Sequence, residues 1–105
     1  TELERAIKSV REIAHDMRVG IMAELGLVSA TRNLADAIQS SKVMKVNFRT
    51  SGMSRRLPSE LEATCFELVQ ELVTNVIKHA EASKLEIQYI QYDEEFAINL
   101  EDYFN

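Results

Sequence analysis

The segment from Ser59 to about His79 constrains this chain most, because it can hardly be anything but a long, half-buried helix. It contains no Pro or Gly, and Leu61, Cys65, Leu68, Val69, Leu72, Val73, Val76, Ile77 and Ala80 recur at spacings of three and four, drawing a broad apolar face. Pro58 precedes it, and Ser59 with Glu62 reads as a capping box that opens it. A helix of this kind needs a partner surface, and the flanking sequence supplies strands. Met44, Val46 and Phe48 alternate with Lys45, Asn47 and Arg49. After the helix, Leu85, Ile87 and Tyr89 alternate, Asp93-Glu94 turn the chain, and Phe96, Ile98 and Leu100 alternate back as an antiparallel hairpin.

Two helical stretches come first. Leu3, Ile7, Val10, Ala14, Met17 and Ile21 form a heptad seam, widened by Ala6 and Ile13, with Gly20 expected to interrupt or bend it. One apolar stripe along such a helix implies a bundle or a dimer. Past Gly26, Leu27, Val28, Leu34, Ala37 and Ile38 continue a helical pattern to about Gln39. The order helix, helix, strand, helix, strand, strand makes this an α+β chain with a helical extension in front.

At 105 residues there is room for one small domain, and 46% hydrophobic with 28% charged residues fits a globular chain. No apolar run approaches the ~20 residues of a membrane span, and the charged start TELERAIKSVRE is no signal peptide. These features suit a cytoplasmic setting without membrane contact. Cys65 is the single cysteine, so no internal disulfide or cysteine-based zinc cage can form; on the apolar face it reads as a packed thiol. The four methionines have no ligand spacing, and no Ser/His/Asp arrangement stands out. A net charge of -5 argues against nucleic acid as a partner. The charge is uneven: residues 41–58 hold five Lys/Arg and no acid, whereas residues 81–105 hold one Lys and seven acids. A solvated surface explains this, although Arg55 and Arg56 could also face an anionic ligand or partner.

Glu71, Asn75 and His79 sit four residues apart along the edge of the long helix, at the margin of its buried stripe. An amide and an imidazole placed there need partners. Spacing alone leaves a neighbouring loop and a functional site equally open.

The stretch Gln70-Glu71-Leu72-Val73-Thr74-Asn75-Val76-Ile77-Lys78-His79-Ala80 resembles the N-box helix of the ATPase domain of sensor histidine kinases, in the subgroup reading QE-x-x-x-N-x-x-KHA. Arg56-Leu57-Pro58 with Glu60 and Glu62, Glu81-Ala82-Ser83, and the upstream Val10-to-Met17 and Leu25-to-Val28 stretches match the same subgroup, so the resemblance spans nearly the whole chain. It implies a two-layer α/β sandwich, a mixed sheet with helices on one face, at residues 41–105. Residues 1–40 would be the end of a helical dimerisation bundle with its linker helix. The implied activity is transfer of the γ-phosphoryl group of ATP to a histidine for relay to a response regulator, by a homodimer joined through the N-terminal helices. By the same resemblance Asn75 holds Mg²⁺ through a neutral oxygen, and Glu71 is the base or water-orienting group. Lys78 and His79 face the phosphates, and Asp102 accepts a bond from the adenine amino group. His15-Asp16 resembles a pair on the second bundle helix, which puts the phosphoacceptor upstream of Thr1.

The pattern departs after Asp102, where Tyr103-Phe104-Asn105 replace the expected glycines. A truncated chain, a decayed nucleotide site and an omitted lid segment each account for this. The third is favoured, and it expects an intact mass above 12.0 kDa. Rival readings are a non-kinase ATP-binding regulator of the same fold, such as an anti-sigma-type switch, and a structural dimerisation fragment.

Overall fold

The structure, a computed structural model, describes residues 1–16, 19–52 and 55–104, and their side chains except at 14–16, 19, 20 and 80. The elements in chain order are α1 (Glu2–Asp16), α2 (Val19–Leu25), α3 (Leu27–Ser40), β1 (Lys45–Ser51), α4 (Ser59–Asn75), a π-helical turn (Val76–Ala80), β2 (Lys84–Tyr92) and β3 (Glu95–Tyr103). They form an α+β arrangement around a three-stranded mixed sheet of order β1-β2-β3. β1 runs parallel to β2, with Val46 opposite Leu85 and Phe48 opposite Ile87. A parallel pair needs a crossover, and α4 lies within it. β2 and β3 form the expected antiparallel hairpin, with Ile87 opposite Leu100 and Tyr89 opposite Ile98.

The alternation in the strands translates directly into burial. Leu85, Ile87 and Tyr89 are inaccessible to solvent, and Met44 and Val46 nearly so. They join Leu27, Leu34 and Ile38 of α3 and Phe66, Val69 and Val73 of α4 in one hydrophobic core. Tyr89 lies edge-on to Phe48, ring centroids 4.9 Å apart, and tilted against Phe96 at 5.5 Å. Its hydroxyl shares a 2.6 Å hydrogen bond with Thr31 Oγ1 on α3, so the polar end of the ring is satisfied inside the core. Burial raises the Tyr89 phenol well above its ordinary pKa, which keeps it neutral.

The N-terminal helix turns its apolar stripe inward. Ala6 and Val10 are fully buried, and α1 packs on α3, α4 and the π-turn, whereas Leu3 and Ile21 stay exposed. The apolar stripe that suggested a bundle or dimer therefore packs, at Ala6 and Val10, inside the chain itself. Met17 falls outside the described residues, as do the side chains of Ala14 and His15. Gly20 lies within α2.

Two expectations about α4 are corrected. Ser59 is the first helical residue behind Pro58, and no side chain caps the helix. Glu62 does not reach back to the helix start; it points into the protein, 1% exposed. The core face is also turned from the expected stripe: Glu62, Ala63, Phe66, Val69, Val73 and Thr74 are buried on α4, while Leu61, Leu68 and Leu72 are 45%, 52% and 37% exposed. The reason is Arg56. Its Nη2 and Nε bond the Glu62 carboxylate at 2.6 and 3.1 Å, which neutralises the acid and lets that side of the helix face inward.

Candidate functional site

Arg56 and Glu62 fix where α4 begins. The Glu62 carboxylate accepts the Leu27 N–H at 3.3 Å, at the start of α3. Arg56 Nη2 donates to the carbonyls of Met22 at 2.9 Å and Ala23 at 3.3 Å, at the end of α2. One ion pair thus ties three helix ends together. The hydrogen bond to Glu62 raises the pKa of the Arg56 guanidinium further above its ordinary value. The turn beneath it passes through Gly26 at φ 88°, where an added Cβ would also come within 3.1 Å of the guanidinium carbon. Arg56 therefore finds its anionic partner inside the chain, and Arg55 donates to the Asp93 carbonyl at 3.1 Å.

At its other end α4 carries the residues singled out by the sequence. Glu71 and Asn75 lie on the last turns of α4, and both are exposed. The α-helix does not run on to His79 as expected; it stops at Asn75 and the chain continues as the π-turn, which holds Lys78 and His79, again exposed. π-turns are rare and recur at functional sites. Glu81 closes the turn in the left-handed conformation, φ 52°. The expectation that Asn75 and His79 sit at a buried margin is thus corrected. Water reaches both, so neither needs a partner within the fold, and among the described residues no side-chain hydrogen bond engages them.

Register locates Asp102 at the same end of the sheet. It pairs with Leu85, the second residue of β2, and shares the half-buried side of β3 with Phe96, Ile98 and Leu100. The Ser83 N–H and hydroxyl donate to the Tyr103 carbonyl at 2.9 and 3.3 Å, which binds the end of β3 to the short link after the π-turn. Lys45 N–H donates to the Ser83 carbonyl at 3.1 Å, so β1 starts here too. A cavity of about 530 Å³ opens at this end, lined by Gln39, Lys42, Val43, Met44, Lys45 and Ser83. Asn75 at the end of α4, Lys78 and His79 on the π-turn and Asp102 on β3 therefore belong to three elements, and the π-turn leads into the end of the sheet where Asp102 lies. Glu71 stands one turn back.

The donor set suits one hard cation shared with a ligand better than a protein-only cage. Among the described residues, no three His, Cys, Asp or Glu side chains converge to hold a metal. Mg²⁺ needs only one or two protein oxygens when phosphates and water complete its octahedron, and an exposed amide oxygen such as that of Asn75 fits. Lys78 and His79 follow Asn75 by three and four residues, exposed on the π-turn. Arg56 and Glu62 both stand out in the sequence, within the subgroup's pattern and as a cation in search of an anionic partner, but their pairing does not.

The chain is similar to sensor histidine kinases. It is 29% identical to the signal transduction histidine-protein kinase/phosphatase DegS of Brevibacillus brevis, over 96% of this chain and 27% of that protein. It is 31% identical to the sensor histidine kinase MctS of Rhizobium johnstonii, over 82% of this chain and 19% of the relative. With the oxygen sensor histidine kinase NreB of Staphylococcus carnosus it shares 27% identity, over 81% of this chain and 24% of the relative. These relatives support a place in the histidine kinase family, and the chain spans about a quarter or less of their length. No protein-family model matches the chain. No solved structure matches it either. Among the described residues, no helix is long and apolar enough to cross a membrane.

Proposed function

We propose that this chain is the ATP-binding part of a sensor histidine kinase, with Mg-ATP held at the C-terminal end of α4. The observation that carries the reading is placement along the chain: Asn75 ends α4, Lys78 and His79 stand on the π-turn, and the chain then enters β2 at the end of the sheet where Asp102 pairs with Leu85, all four being exposed or half-buried. Asn75 contributes an oxygen to Mg²⁺ without adding charge, and Asp102 accepts from the adenine amino group. Lys78 and His79 offset negative charge on the phosphates. Glu71, one helical turn from Asn75, accepts a proton from, or orients, the attacking imidazole. Asn75 is the residue that would hold a bound Mg²⁺, which would supply positive charge against the phosphates. The acceptor imidazole lies on a bundle helix, in a homodimer formed through the N-terminal helices, and a response regulator takes the phosphoryl group in turn. The setting is cytoplasmic.

Titration of a fluorescent ATP analogue tests this reading. The chain is expected to bind more tightly with Mg²⁺ than without. Asn75→Ala is expected to weaken Mg²⁺-dependent binding by about tenfold or more, while leaving the melting temperature unchanged because Asn75 supports no core contact. Equal binding by parent and variant, with and without Mg²⁺, would overturn the role of Asn75.

A further inference from the structure

The corrected orientation of α4 leaves a surface that, Glu71 apart, the nucleotide site does not use. Leu61, Leu68 and Leu72 are exposed, and half-buried Cys65 lies between the first two, so apolar side chains recur at i, i+4, i+7 and i+11. That is the spacing of a helix-pairing seam. Each exposed leucine follows an exposed glutamate: Glu60, Glu67 and Glu71. The acids therefore repeat at the same seven- and four-residue intervals and form a ridge beside the leucines. α4 contains no Lys or Arg, and among the described residues none of these three glutamates takes part in an ion pair.

We propose that this face of α4 docks a basic amphipathic helix of another protein, its leucine-type residues lying in the Leu61–Leu68–Leu72 seam and its Lys or Arg side chains against Glu60, Glu67 and Glu71. The charge pattern selects this occupant. A second copy pairing α4 with α4 would set one acidic ridge against another, at a cost rather than a gain. An anionic membrane surface is repelled for the same reason. A helix with flanking cations satisfies both the apolar seam and the acids, as in helix-in-groove recognition. The contact leaves out Asn75, Lys78, His79 and Asp102 and shares only Glu71 with the proposed phosphoryl-transfer site; Leu61, Leu68, Glu60 and Glu67, where it is tested, lie outside that site, so its failure is distinguishable from a failure of nucleotide binding.

The test uses the full chain and a synthetic three-heptad helical peptide with leucines at seam positions and lysines beside them. A scrambled peptide of the same composition and a glutamate-flanked counterpart serve as controls. Fluorescence anisotropy is expected to show the basic amphipathic peptide binding about tenfold or more tightly than either control, with affinity falling as salt rises. Leu68→Asp is expected to weaken binding by a similar factor, and Leu61→Gln repeats the test at the other end if the first variant melts early. Glu60→Lys combined with Glu67→Lys is expected to reverse the preference toward the glutamate-flanked peptide. Equal binding of the scrambled peptide, or no effect of either leucine variant, would overturn the proposal. So would a concentration-dependent dimer in sedimentation that Leu68→Asp abolishes, because a second copy would then own the face.

Discussion

Arg56→Ala is expected to destabilise the fold by about 3 kcal/mol, although the residue touches none of the candidate site. The Glu62 side chain is 2% exposed, and in the variant its carboxylate would keep, among the described residues, only the Leu27 N–H as a partner. Breaking a buried ion pair from the side of the accessible partner strands the inaccessible one. Arg56 is itself 51% exposed, so some water reaches the guanidinium, which places the cost at the low end of the usual range of about 3–5 kcal/mol. The reverse substitution is milder. Glu62→Gln keeps an oxygen for Leu27 and releases a guanidinium that can turn to water, for an expected cost of about 1–2 kcal/mol. Urea unfolding of both variants, with unchanged m-values, measures the asymmetry. Equal costs, or a cost for Arg56→Ala below about 0.5 kcal/mol, would show that the pair does not anchor α4.

Asp102→Ala is expected to weaken ATP binding by about tenfold or more and to leave GTP binding unchanged. A hydrogen bond to a charged carboxylate is worth about 1.5–3 kcal/mol, and only adenine offers an amino group in the place proposed. Asp102 is half-buried at the end of an edge strand, in register with the buried Leu85, so the variant removes an acceptor without opening the core. Competition of ATP and GTP against a fluorescent analogue reads the change. If both nucleotides lose affinity equally, Asp102 acts on the phosphates or on the fold instead of the base.

Much of the architecture was legible because strands write their burial into the sequence. Leu85, Ile87 and Tyr89 alternate and are all buried, and α3 follows its predicted span to within a residue. α4 was legible as a helix but not in its orientation. Periodicity weights Leu61, Leu68 and Leu72 as core and a glutamate as surface, and only a tertiary partner reverses that. Arg56 lies outside the helix, so no local pattern announces that Glu62 will be buried beside Phe66. The π-turn had no signature in spacing either, because the expected helix ran through it. Residue types at the proposed site were readable through the family resemblance, whereas the end of the sheet on which they lie was not. That depended on the β2–β3 register, which sets Asp102 opposite the start of β2, and on the Ser83–Tyr103 bonds that tie this end to the π-turn.

Amide-resolved NMR of the full chain during titration with Mg-ATP addresses the central claim most directly. The largest shift changes are expected on Asn75 to Ser83 and on the end of β3 around Asp102, and they are expected to collapse when Mg²⁺ is chelated. Changes centred elsewhere, or none at saturating nucleotide in a folded chain, would contradict a nucleotide site at the end of α4.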